Sequence, residues 1–200
     1  MGLGGSYIGD GVYKERLPDG KRSIIYNKWM AMLQRCYGKS YIKKEKTYDD
    51  CYVCKEWLNF QNFAKWMEEN YYEIPGTKMH LDKDILKKGN KEYCPEYCCF
   101  VPAEINLIFS RNNSKNNKDD IGVDEIHNKK KIKYKARCRM SKGIHKTSKI
   151  YDTFEEAKMA YIEMKNYRIH SVAEKYKEYI PKKVYNILIN MNVEKDELNF

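Results

Sequence analysis

Residues 130–140 read KKIKYKARCRM. Lys131, Lys133, Lys135, Arg137 and Arg139 alternate with Ile132, Tyr134, Ala136 and Cys138, and a period of two puts the two sets on opposite faces of an extended strand. A helix would scatter the same charges around its circumference. The stretch is therefore constrained to be a strand with one cationic face and one small or apolar face that needs a cover. The cover follows in TFEEAKMAYIEMKNY, where Thr153 and Glu156 form a capping box and Ala157, Ala160, Tyr161 and Met164 recur at helical spacing. IGVDEI before the strand and KTSKIYD after it supply two neighbours. Residues 119–200 are thus expected to form a small three-stranded antiparallel sheet packed on one long helix. That helix runs to about Tyr179, is interrupted by Pro181, and is followed by a short helix in KKVYNILINM and an acidic tail.

Charge is concentrated on the same stretch. Of a formal net charge of +10 over 200 residues, residues 111–149 carry +9, from 13 Lys or Arg against four acids. Charge so unevenly placed points to a polyanionic partner rather than a generally solvated surface. The 42% hydrophobic content is enough for a core. No apolar run is long enough for a membrane span and MGLGGSYIGDG lacks the apolar core of a secretory signal, so the expected location is cytoplasmic, with no membrane partner.

Residues 1–118 read as a first domain. Residues 1–22 are glycine-rich and charged, and are expected to be a loosely held arm or turn. In SIIYNKWMAMLQRCYG, Ile25, Trp29, Leu33 and Cys36 have helical spacing, with Ser23 to cap and Gly38 to end the helix. CKEWLNFQNFAKWMEENYY places Trp57, Phe60, Phe63, Ala64, Trp66 and Met67 on a second apolar stripe. KMHLDKDIL reads as a strand, KKGNKEY as a loop and CCFV as a second strand. Pro102 then opens the helix AEINLIFSRNN. The polar run SRNNSKNNKDD places the domain boundary near Asp119. The fold class is α+β. Seven cysteines in such a chain argue against a disulfide framework. Cys51-x-x-Cys54 and Cys94-x-x-x-Cys98, with Cys99 adjacent, could supply four thiolates to a structural zinc, but the second pair has loose spacing, and buried free thiols are the preferred reading.

LDKDILKKGNKEYCPEYCCFVPAEIN resembles the HNH, or ββα-metal, motif of phage and homing endonucleases: an Asp-His pair on a strand, a loop Asn, and an Asn or His on a helix. The flanking segments WMAMLQRCY and VCKEWLNFQNFAKW extend the likeness over most of residues 23–110. The resemblance implies Asp82 as strand metal ligand, Asn90 as the loop asparagine that braces the hairpin, and Asn106 as helix ligand. It also implies divalent Mg²⁺ or Mn²⁺ and phosphodiester hydrolysis. Lys83 stands where the family keeps its histidine base, and a solvated lysine is protonated at neutral pH. His80, two residues earlier on the same strand face, could substitute as base, and Asp84 offers a further oxygen. Without such chemistry, Asp82 would be a cap, Asn106 a surface amide and the asparagines turn residues.

IGVDEIHNKKKIKYKARCRM with KIYDTFEEAKMAYIEMK is similar to the DNA-binding domain of plant ethylene-response factors, also found fused to phage homing endonucleases. Gly122, Val123, Tyr134, Ala136, Phe154, Glu155, Glu156, Ala157, Ala160 and Tyr161 carry the likeness, while the glycine that usually precedes the Thr-Phe turn is missing. The resemblance implies that the sheet, not the helix, enters the major groove of double-stranded DNA. Arg137 and Arg139 would then read bases and Lys131, Lys133 and Lys135 hold phosphates. Three readings stay open: a site-directed HNH endonuclease or nickase, a catalytically inactive DNA-binding descendant that regulates or inhibits host machinery, and an RNA binder.

Overall fold

The computed structural model describes residues 7–8, 12–38, 50–109, 122–128, 131–141 and 143–193. The polar connections at 39–49 and 110–121 and the acidic tail at 194–200 lie outside the described residues. The chain is mixed α/β, with five α-helices and four small sheets among those residues. It divides into two compact units, Met1–Ala103 and Glu104–Phe200.

In the first unit, β1 (Tyr7–Ile8) pairs antiparallel with β2 (Val12–Tyr13). Gln61 binds both backbone groups of Tyr13, accepting from its N–H at 2.7 Å and donating to its carbonyl at 3.0 Å. The Tyr13 hydroxyl donates to Glu68. From Val12 on, the segment expected as a loosely held arm or turn is therefore pinned, because one side-chain amide satisfies a backbone pair that charge and glycine content do not reveal.

Helix α1 (Ile24–Tyr37) starts where the Ser23 side chain accepts from Tyr26 N. It buries Ile25, Met32 and Cys36, while Trp29 and Leu33 are only half-buried. The second apolar stripe is split. Trp57 lies in a one-turn 3₁₀ helix (Glu56–Leu58), and α2 (Phe60–Asn70) begins after the cap Asn59, burying Phe63, Ala64 and Met67. Trp57 packs edge-on to Phe63 with ring centroids 5.1 Å apart, and Trp66 lies 5.5 Å from Phe100. These aromatic rings supply much of the apolar area buried in the unit.

Two strands lie against this core. β4 (Met79–Asp82) pairs antiparallel with β6 (Cys99–Pro102), Asp82 opposite Cys99. Between them, β5 (Glu92–Tyr93) pairs parallel with β3 (Tyr52–Val53). The expected order of strand, loop, strand and helix is present, but the loop carries a strand committed to a partner outside the hairpin.

In the second unit, helix α3 (Ala103–Phe109), all but its first residue, packs with α4 (Phe154–Tyr176). Lys165 donates to the Ile108 carbonyl at 2.6 Å, and Glu104 accepts from Lys175 and from the Tyr176 hydroxyl. These bonds lie within the second compact unit, which begins at Glu104, while the boundary expected near Asp119 falls in residues 110–121, outside the described residues. β7 (Val123–Asn128), β8 (Lys131–Ser141) and β9 (Ile144–Tyr151) form a three-stranded antiparallel sheet in that order. One face packs on α4 through Ala136, Cys138 and Tyr161, with Met140, Ala160 and Met164 partly buried against them. The Thr153–Glu156 capping box starts α4, which ends at Tyr176, before α5 (Lys182–Asn190). Gly122 has φ +88°, and a Cβ there would fall 2.1 Å from the Tyr161 ring, so only glycine lets the chain cross this buried tyrosine.

Candidate functional site

Residues 82–92 form a loop held by reciprocal bonds. Asp82 Oδ1 accepts from the Asp84 and Ile85 N–H groups, both at 2.8 Å, so its carboxylate caps the turn that leaves β4. The Asn90 side chain donates to the Lys83 carbonyl at 2.9 Å and the Glu92 carbonyl at 2.6 Å, and accepts from Glu92 N at 3.2 Å. Lys83 returns the bond, its ammonium donating to the Asn90 carbonyl at 2.6 Å and pairing with Asp84 at 2.7 Å. At 5% exposure Lys83 is buried beneath the loop rather than offered to solvent. Asn90 is 6% exposed, and together with Lys83 it ties the two ends of the loop to each other.

Burial pushes the Asp82 carboxyl above the usual carboxylate range, against the two N–H bonds that favour its ionised form. His80 is half-buried and its pKa is lowered to about 4, first by burial and then by the charges of Lys28, Lys78 and Arg35. Two of those cations come from α1: Lys28 donates to the Met79 carbonyl, and Arg35 donates to the Leu81 carbonyl at 3.4 Å. Burial also lowers Lys28, to about 8. His80 is therefore neutral at pH 7 but a weak base in a cationic setting.

These surroundings do not fit a divalent cation well. The Asp82 oxygen that accepts two N–H bonds is committed, Asp84 is neutralised by Lys83, and Lys28, Arg35 and Lys78 add positive potential beside His80. Asn106 lies half-buried on α3, in the other compact unit. Among the described residues, no group of three or more His, Cys, Asp or Glu is placed to hold a metal ion. Cys51, Cys94, Cys98 and Cys99 are buried and Cys54 is half-buried, all as free thiols, with burial raising Cys51, Cys54, Cys94 and Cys98.

In the second unit the alternation of β8 is visible in its burial only from Ala136 to Cys138, where Ala136 and Cys138 are buried and Arg137 is exposed. Lys131 is exposed, Lys133, Tyr134 and Lys135 are half-exposed, and Ile132, expected on the covered face, is 47% exposed because that end of the strand lies beyond the apolar cluster. Two residues on this strand carry acidic neighbours, Arg137 pairing with Asp124 at 3.0 Å and Lys133 with Asp152 at 3.0 Å. Opposite Lys135 and Arg137 on β9 stand Ile150 and Thr147, a step of three residues against two, so β9 carries a bulge there. Ile126, opposite Lys133 on β7, and Ile150, 54% exposed, set apolar groups among the cations. Ile126, Thr147 and Ile150 were not singled out from sequence because cross-strand register and the bulge decide their neighbours. Arg139 departs from its set: it is half-buried, its Nε is enclosed without a partner, and it acts electrostatically on Arg168 of α4.

Compared with known proteins, the chain matches no family model, no curated protein and no solved structure. No described helix is long and apolar enough to cross a membrane.

Proposed function

We propose that this is a phage-type DNA-binding protein of the host cytoplasm, which holds duplex DNA on the sheet of its second unit and does not cut it. The observation that carries the reading is the two-sided character of β8. Its Ala136 and Cys138 face is buried on α4, which leaves Lys131, Lys133, Lys135 and Arg137 for a polyanion. Lysines there would neutralise phosphates and release counterions, Arg137 would donate to guanine O6 and N7, and Ile126 and Ile150 would meet thymine methyl groups. Asp124 and Asp152 hold Arg137 and Lys133 in place and would exchange them for phosphate on binding. The first unit supports the non-cutting form, since the residue at the base position, Lys83, braces the loop. The cutting alternative rests on His80 and Asp82 alternating onto the same face of β4.

Fluorescence anisotropy with labelled duplex DNA and duplex RNA across a salt series tests the binding. The expected result is tighter DNA binding, with log Kd linear in log salt concentration. A clear RNA preference would overturn the sheet assignment. Supercoiled plasmid incubated with Mg²⁺ or Mn²⁺ tests the cutting. No nicking is expected, and nicking that Asp82→Ala abolishes would instead establish the endonuclease.

A further inference from the structure

Arg168 is the least accommodated charge in the second unit. It is 3% exposed, its Nε has no hydrogen-bond partner, and among the described residues no carboxylate pairs with it. A buried guanidinium costs several kcal/mol unless an anion and hydrogen-bond acceptors compensate it. Among the described residues Glu104 is the carboxylate that acts on it, and Glu104 is already taken by Lys175 and the Tyr176 hydroxyl. The neighbouring groups make matters worse rather than better. Lys165, one turn earlier on α4, adds a second positive charge, and among the described residues its ammonium donates to the Ile108 carbonyl alone, leaving two of its three N–H donors. Arg139 approaches from β8 with a second buried, unpartnered Nε.

Lys165 and Arg139 thus both act electrostatically on Arg168, on a helix that packs against the sheet through Ala136, Cys138 and Tyr161. Water could satisfy their donors but not their charge. We propose that Arg139, Lys165 and Arg168 form a seat for a single tetrahedral oxyanion of the phosphate class, contributed by a DNA backbone phosphodiester or by free phosphate. Guanidinium and ammonium groups are the side chains that bind such anions, and the anion's negative charge would offset part of theirs. Arg139 and Lys165 are half-buried, while Arg168 is the buried member of the set. The seat does not depend on the sheet binding DNA.

The test uses the full chain melted by calorimetry in inorganic phosphate and in chloride at matched ionic strength, for wild type, Arg168→Met and Lys165→Met. Wild type should melt at least about 4 °C higher in phosphate, and both variants should lose that difference. Arg168→Met should also melt in chloride no lower than wild type, because it removes an uncompensated buried charge. If Arg168→Met does not fold, Lys165→Met carries the comparison alone. A wild type that melts alike in both salts, or a folded variant that keeps the full phosphate response, overturns the seat. Titration calorimetry with phosphate in the presence of duplex DNA separates the sources. Competition assigns the seat to the phosphodiester and lack of competition assigns it to free phosphate. A chain that binds phosphate but no duplex refutes the DNA reading and leaves the seat standing.

Discussion

Lys83→Met isolates what the lysine contributes to the first unit. Methionine keeps most of the aliphatic stem, so packing changes little, but the ammonium and its bonds are lost. The Asn90 carbonyl loses a 2.6 Å charge-assisted donor in a buried position, a change of about 1.5–3 kcal/mol. The Asp84 carboxylate, 40% exposed, can be rehydrated, so loss of that ion pair adds no more than about 1 kcal/mol. Removing the burial cost of the ammonium offsets part of both, which leaves a net destabilisation of about 2 kcal/mol. All three tryptophans, Trp29, Trp57 and Trp66, lie in the first unit, so tryptophan fluorescence melts it selectively. For a unit of this size that loss lowers the melting temperature by about 10 °C. Asp84→Asn, which spares the Asn90 bond, should cost no more than about 1 kcal/mol. A Lys83→Met protein that melts within about 2 °C of wild type refutes the brace, because a bond with this burial and length cannot then be contributing.

Protonation of His80 is opposed in the folded state, where its pKa is about 4 against an ordinary 6.5. The first unit should therefore hold full stability from this group above pH 6.5 and lose it progressively as the pH falls towards 4, a loss that denaturant titrations should find reduced in His80→Gln. Gly122→Ala places a methyl group against the Tyr161 ring in a backbone region that disfavours side chains. Overpacking and strain together should cost the second unit about 2–5 kcal/mol, read by circular dichroism melts. Arg137→Ala should weaken duplex binding by about 1–3 kcal/mol and relax preference at one base pair. Lys135→Ala should instead weaken all sequences alike and reduce the salt slope by about one. Equal, sequence-independent losses in both variants would remove Arg137 as a base reader.

The second unit was the more legible in sequence. Its strand alternation, capping box and helical spacing are local patterns that agree with one another, and the sheet, the start of α4 and the burial of Ala157 and Tyr161 follow from them. The register was not legible, because a bulge adds a residue without altering the composition of either strand. Arg139 belonged to the basic set by spacing, and only the packing of β8 on α4 brought its Nε into an enclosed position beside Arg168.

The first unit divides the same way. Sequence alone established that Asp82, Lys83 and Asn90 share one strand-and-loop segment, that Ser23 caps α1, and that the aromatic stripe belongs to a core. Tertiary structure decided what those residues do. Whether a lysine beside an aspartate is solvated or buried depends on where the far end of its loop returns, and the return of Asn90 turns Lys83 from a displaced base into a brace. Whether His80 holds a proton depends on Lys28 and Arg35, which reach β4 from a helix more than forty positions away in sequence. Pattern fixes which face a side chain takes. Charge state and partners depend on burial and on distances across the fold, and those exist only once the chain has closed.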